Sequence, residues 1–464
     1  MLKEIYDRLP VPFQELALTV RGFQIQRERY GGKFRRLLFE ALARERLPED
    51  AIRQWQREAF ERLMIHALTR VPYYREIAGR FGLSPRSFQS PEDLHRLPIL
   101  TREAVRQNFA NGKLVADGIK RQHLWLGHTS GTTGSPLEFF WDDSVVVMTN
   151  VVLWRHRNCA GFKIGDPFLK LTGNVIVPLK QQRPPYWRLD RSVNQLFLSA
   201  FHMSEHALPS YVNAIRRFAP RFLDTYPSTA YVLARYLVSR KETIPLRGVF
   251  TSSETLLQHQ REVIEEAFAC KVFDYYGLAE RTMFATECEA HTGHHVNVDY
   301  GITEIVGQDG GWVRSGRMGR IVTTGLHNWA MPLIRYETSD VTAVGEKSCA
   351  CGRGFPLMQA VTTKAEDVVV TADGRHISPS VLTHPFKPMH NVRESQILQE
   401  DRDSIVVKIV RRPEYTDEDT RQLLTGLRER LGEAMRVELE FVPEIPRDPS
   451  GKFRWVISRV PLSF

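Results

Sequence analysis

Residues 128–136 read His-Thr-Ser-Gly-Thr-Thr-Gly-Ser-Pro. Four hydroxyl side chains, Thr129, Ser130, Thr132 and Thr133, crowd around Gly131 and Gly134. Glycine lets the backbone turn and come close to a ligand. Backbone N–H groups and hydroxyls can then wrap an anion without a fixed cation. A Walker A loop requires Gly-Lys-Ser/Thr, and position 135 is Ser. If the segment grips a polyphosphate, it does so as something other than a Walker loop. It lies between two apolar stretches, Leu124-Trp-Leu and Leu137-Glu-Phe-Phe, which gives a strand–loop–strand context.

Working outward, residues 1–120 are mostly helical in pattern. Residues 55–68 carry apolar side chains at helical spacing, and Val71-Pro-Tyr-Tyr74 follows as a stop. Thr101 reads as the N-cap of a further helix. From 165 to 330, short apolar runs at 168–171, 222–226, 248–251 and 271–275 alternate with helical stretches at 204–218, 230–240 and 257–268. Such alternation predicts α/β layers around a parallel or mixed sheet. Strands are expected at 319–324 and 332–336. Beyond residue 367 a small α+β unit follows, with strands at 368–370, 404–409 and 436–441 and a helix at 417–431.

Composition bounds the function class. The chain has 464 residues, 42% hydrophobic and 25% charged, with a net charge of +9, within the range of soluble globular proteins. The longest apolar stretch, 145–154, is too short to span a bilayer, which takes about 20 residues. The start of the chain has an early charge and no apolar run, so no signal peptide is expected. Five cysteines, an odd number, fit a reducing, cytoplasmic setting. The basic cluster at 21–46 (Arg21, Arg27, Arg29, Lys33, Arg35, Arg36) suits an anionic partner such as a membrane surface or an acidic carrier. A solvated helical face explains the same charges. No nucleic-acid motif accompanies them.

Four motifs occur in fixed order: Thr-Ser-Gly-Thr-Thr-Gly-Ser-Pro at 129–136, Tyr-Tyr-Gly-Leu-Ala-Glu at 275–280, Arg-Tyr-Glu-Thr-Ser-Asp at 335–340, and Pro-Arg-Asp-Pro-Ser-Gly-Lys-Phe-Arg at 446–454. Together they resemble the core motifs of the adenylate-forming (acyl-CoA synthetase) superfamily. Ile65-His-Ala-Leu-Thr-Arg-Val-Pro-Tyr-Tyr, Leu97-Pro-Ile-Leu-Thr and Cys349-Ala-Cys-Gly-Arg are similar to the phenylacetate–CoA ligase-like branch, especially its capsule-biosynthesis-type relatives. The resemblance runs from about residue 60 to the end.

The resemblance implies a large multi-layer α/β AMP-binding domain over 1–366 and a small mobile α+β domain over 367–464, with Asp367 as hinge. It implies ATP, Mg²⁺ and CoA as reactants, an acyl-adenylate intermediate and AMP as product. The acid is expected to be aromatic or similar. The alternative is an adenylating acyltransferase that passes the acyl group to an amine, a hydroxyl or a carrier-protein thiol. A homodimer is compatible with it, and no transmembrane segment is expected.

Residue by residue, the resemblance assigns Thr129, Ser130, Gly131, Thr132, Thr133 and Gly134 to the β- and γ-phosphates. It assigns Glu280 to Mg²⁺, which prefers hard oxygen ligands, and Ser253 and Glu254 to the adenine. In this chain Ser253 stands where the family usually has glycine. Asp274, Tyr275, Tyr276 and Gly277 fall on the nucleotide side, with both tyrosine rings as faces for adenine. Asp340 is expected on the ribose hydroxyls, with Arg353 reaching ribose or phosphate. Lys452 bridges carboxylate and phosphates, offsetting charge in the transition state. The substrate pocket is expected between 225–228 and 252–254, near Gly277. Separately, Cys288-x-x-His291 and Cys349-x-Cys351 supply the three thiols and imidazole of a closed zinc site. His294 and His295 are competing ligands.

Overall fold

The computed structural model describes residues 2–129, 137–307, 310–313, 318–346, 348–361, 369–377, 379–386, 388–446 and 454–460. Its centre is a nine-stranded mixed sheet. Four apolar runs, Phe168–Leu171, Phe222–Thr225, Gly248–Thr251 and Val272–Gly277, pair in parallel, with Gln195–Leu198 parallel on the outer side. Antiparallel strands extend both ends. Trp187–Asp190 closes one, and Phe284–Glu287, His294–Val296 and Leu357–Met358 close the other. Parallel strands are covered on both faces and so read as continuous apolar runs. Phe222–Thr225 and Gly248–Thr251 are buried at every position.

Helices Leu208–Phe218, Pro227–Ser239 and Gln258–Phe268 cover one face. On the other, Phe162, Phe222, Phe250 and Phe273 pack under the Asp143–Asn158 and Gly32–Arg44 helices. Phe162 stacks on Phe222 with centroids 4.2 Å apart. Burying each such ring contributes roughly 1.5–3 kcal/mol.

The C-terminal unit has a four-stranded sheet in the order Arg436–Phe441, Ser404–Arg411, Val392–Gln399, Val456–Ser458, under the Asp417–Leu431 helix. Thr416 caps that helix. One apolar cluster runs from Leu233 and Leu237 through Val381 and Phe386 to Leu427 and Trp455. Arg375 adds hydrogen bonds across the same seam, to Phe201 O (2.8 Å) and Leu431 O (2.7 Å).

Two expected elements differ. Pro72 does not end helical structure. It opens a second helix, Pro72–Phe81, directly after Glu49–Arg70, because proline's fixed φ suits a first helical position. The strand expected at 332–336 begins only at Tyr336 and runs to Ala343. Arg335, with φ +53°, turns the chain into it.

Candidate active site

The strands that flank the hydroxyl-rich segment in sequence, Trp125–His128 and Glu138–Trp141, pair as an antiparallel hairpin, as the strand–loop–strand context requires. Thr129 N donates to Leu137 O (3.0 Å) and Leu137 N donates to Thr129 Oγ1 (2.9 Å), closing the hairpin mouth. Ser130, Gly131, Thr132, Thr133 and Gly134 lie outside the described residues, as do Asp367 and Lys452.

Thr129 Oγ1 also accepts from Arg102 Nη2 at 3.3 Å. Arg102 Nη1 donates to Tyr336 Oη at 3.2 Å and lies 3.7 Å from Glu280 Oε1. Tyr336 Oη in turn donates to Glu280 Oε1 at 2.5 Å. Tyr336 and Glu280 are buried. Burial, reinforced by the Glu280 carboxylate, pushes the Tyr336 phenol well above its ordinary value, so it stays a donor. Burial disfavours the Arg102 charge, yet Tyr336 and Glu280 hold its pKa above the usual value.

Local structure sets this up. Thr101 Oγ1 accepts from Ala104 N (3.2 Å) and caps the Arg102–Ala110 helix, placing Arg102 in its first turn. Leu100 N donates to Arg335 O (2.8 Å), and Glu337 N to Leu100 O (3.0 Å). The Leu97-Pro-Ile-Leu-Thr turn is thereby stitched to the strand that carries Tyr336 and Asp340.

Four residues further along that strand, Asp340 Oδ2 accepts from Tyr276 Oη at 2.7 Å. Burial, then Asp340 and Glu280, raise the Tyr276 phenol well above its ordinary value. Glu280, Asp340, Tyr276 and Thr129 thus converge. Their oxygens are hard ligands of the kind Mg²⁺ takes, and the carboxylates accept hydrogen bonds from sugar hydroxyls, so the residues fit those ligands.

Other expected residues are placed differently. Tyr275 stacks on Phe284 (centroids 5.0 Å, interplanar 15°) and meets His156 edge-on. One of its ring faces is therefore already covered. Asp274 is tied into a polar network, accepting from Thr251 Oγ1 (2.6 Å) and facing His294 Nε2 (3.1 Å). Glu254 Oε2 accepts from Ser228 N (3.0 Å), at the start of the Pro227–Ser239 helix. Ser253 is exposed with φ +71°, a left-handed backbone that favours glycine. Gly277 is exposed above the Phe284 ring, which an added Cβ would meet at 3.1 Å.

Arg353 is held by other partners. Its guanidinium is buried and faces Glu289 (2.7 Å), Glu45 (3.1 Å) and Cys159 Sγ (3.2 Å). It braces the cysteine-bearing loop against the N-terminal helices.

The cysteine cluster forms with one exchange. Cys288, Cys349, Cys351 and His295 bring their ligand atoms within 4.8 Å of one another. Cys288 Sγ lies 3.6 Å from Cys349 Sγ, and Cys351 Sγ 3.3 Å from His295 Nε2. Sheet register explains it. His295 pairs with Thr286 on one side and Leu357 on the other, so the turn after Glu287 and the loop before Leu357 both arrive beside it. His295 Nδ1 lies 2.9 Å from Phe355 O, which fixes the tautomer that leaves Nε2 free for a metal. The expected ligand His291 instead turns towards Glu287, 3.6 Å away.

Arg102, Tyr336 and His295 are the site residues that motif spacing missed or left open. Only the polar Arg directly after a helix cap signalled Arg102, and first-turn arginines are ordinarily solvated.

Comparison with known proteins agrees with this picture. Residues 369–459 match the family model described as the CapK C-terminal domain. The chain is 26% identical to Protein CapK of Staphylococcus aureus over 465 residues, spanning 99% of this chain and 100% of that protein. It is 27% identical to a phenylacetate-coenzyme A ligase of Thermus thermophilus over 334 residues, 70% of this chain and 73% of the relative. Its fold is similar to that of 2-hydroxyisobutyryl-CoA ligase, solved in complex with 2-HIB-AMP and CoA. There the TM-score is 0.59 at 21% identity, covering 89% of this chain and 91% of that one. The resemblance to the adenylate-forming superfamily and its phenylacetate–CoA ligase-like and capsule-type branches therefore holds.

Proposed function

We propose that this chain, kin to adenylate-forming ligases, activates a carboxylic acid with ATP and passes the acyl group to CoA. A carboxylate oxygen attacks the α-phosphorus of ATP, the bond to the β-phosphate oxygen breaks, and pyrophosphate leaves. The CoA sulfur then attacks the acyl carbon of the adenylate, forming the thioester and releasing AMP. The observation that carries this reading is the convergence of Thr129, Glu280, Tyr276 and Asp340 at one mouth.

Asp340 accepts the ribose hydroxyls, and Tyr276 orients its carboxylate. Glu280, held by Tyr336 and Arg102, presents oxygen to Mg²⁺, which when bound neutralises charge on the departing pyrophosphate. The 129–134 hydroxyls and N–H groups hold the β- and γ-phosphates. Ser253 and Glu254 line the adenine, and an aromatic or similar acid sits near Gly277. Lys452 supplies the cation that Ser135 does not, when the domain from about residue 367 closes about Asp367. Cys288, Cys349, Cys351 and His295 hold a structural zinc ion.

Pyrophosphate exchange against a panel of carboxylic acids tests the first half-reaction. Exchange with none of them, in the presence of ATP and Mg²⁺, rejects the reading. The alternative acceptor is an amine, hydroxyl or carrier thiol. AMP release driven by CoA, against release driven by those nucleophiles, separates the two.

A further inference from the structure

The Val11–Arg29 helix is inside out. Its protein-facing side is polar. Gln14 is buried, accepts from Arg188 Nε (2.5 Å) and donates to Tyr6 O and Leu9 O (both 3.0 Å). Glu15 accepts from Leu189 N (3.0 Å), and Thr19 from Arg191 N (3.2 Å). Gly22 lies so close to the Trp187–Asp190 strand end that an added Cβ would meet Ser192 Oγ at 2.1 Å.

The solvent side is apolar. Phe13, Leu16, Val20 and Phe23 recur at the three- and four-residue spacing of one helical face. They are 57%, 57%, 51% and 60% exposed. The next helix, Gly32–Arg44, exposes Phe39 at 75%. A helix in a water-soluble protein ordinarily does the reverse.

Charge indicates what covers this face. Residues 11–44 hold seven basic and three acidic side chains, a net of +4. Of the acids, Glu15 faces inward, Glu28 lies 3.8 Å from Arg21, and Glu40 lies 3.6 Å from Arg36. Arg27 follows Phe23 by one turn, and Arg35 and Arg36 precede Phe39 by one turn, all exposed. Two copies meeting stripe to stripe would oppose charges of the same sign, which costs affinity. An anionic lipid surface complements both features: acyl-boundary contact for the aromatic and aliphatic side chains, headgroup phosphates for the basic ones. Among the described residues no helix is long and apolar enough to cross a membrane.

We propose that the first two long helices form a peripheral docking surface for anionic phospholipid bilayers, with Phe13, Leu16, Val20 and Phe23 dipping into the interface.

The test is sedimentation of the full chain with vesicles of phosphatidylcholine, with and without phosphatidylglycerol. The chain should pellet with the anionic vesicles at low salt and be released as salt rises. F13S/L16S/V20S/F23S should lower the bound fraction about tenfold. K33E/R35E/R36E should do the same and remove the salt dependence. Both variants replace exposed side chains and should keep the parent melting temperature by circular dichroism. Absence of the chain from anionic vesicles overturns the proposal, as does equal binding by the four-serine variant. A dimer in size-exclusion light scattering that dissociates in that variant also overturns it, by assigning the stripe to a second copy.

Discussion

The phenol of Tyr336 donates to Glu280 while accepting from Arg102, so one hydroxyl holds the buried carboxylate and the Arg102 guanidinium in register. Tyr336→Phe removes that link without removing the ring. A buried carboxylate that loses a donor costs about 1–3 kcal/mol. The expected result is a lower urea midpoint of that size and pyrophosphate exchange reduced about 10- to 100-fold through misplacement of Glu280. Unchanged exchange would remove Glu280 from the chemistry.

The parallel strands were legible because burial on both faces leaves an unbroken apolar run, as in Gly248–Thr251. The Asp417–Leu431 helix was legible from its own period. Arg102 was not, because what brings it to Glu280 is the pairing of Leu100 with Tyr336, a contact far apart along the chain. The histidine of the cysteine cluster differs from the spacing-based expectation for a similar reason. Spacing favours His291, yet strand alternation sends neighbouring His294 and His295 to opposite faces. His294 meets Asp274 and His295 meets Cys351.

Zinc analysis tests the second site. Burial pushes the Cys288 thiol up, so a bound metal must displace its proton. Purified chain should carry about one zinc per molecule, the stoichiometry of a closed structural site. C351S and H295A should lose most of it and melt earlier, while H291A should keep it. Retention of zinc in H295A would restore the spacing-based assignment.

The two half-reactions separate the role of Lys452. Lys452→Ala should slow adenylation by about 10²- to 10³-fold, the loss seen when one donor to a developing charge is removed. Thioester formation from supplied acyl-adenylate should stay largely intact. Equal loss in both steps would make Lys452 a general structural or binding residue.

Ser253 has φ +71°, and a left-handed backbone costs an ordinary residue roughly 1–2 kcal/mol. Glycine avoids that strain but loses more chain entropy on folding, roughly 0.5–1 kcal/mol. Ser253→Gly should therefore stabilise the chain by about 0.5–1 kcal/mol in a denaturant titration. A loss of stability would show that the Ser253 hydroxyl makes a contact outweighing the strain.

Glu287 ties the strand ends together beside the cysteine cluster. Burial alone would raise its pKa, but His291, His294, Arg261 and the Asp274 N–H outweigh burial and hold it down at about 2. Arg261 Nη2 stands 2.7 Å from its carboxylate. A depressed carboxylate stabilises the fold above its unfolded value, near 4.5, and loses that contribution as pH falls through about 2. At neutral pH the shift corresponds to about 3–4 kcal/mol. Glu287→Gln should therefore lie below the parent by that amount at pH 7, and the gap should narrow between about pH 4.5 and pH 2. Burial lowers His156 to about 3 against the pull of the nearby Glu287 carboxylate, so His156 also weakens the fold in acid, by a different amount in the two proteins. Urea midpoints across this range measure the gap directly. A gap that stays constant with pH would mean that Glu287 acts through packing rather than charge.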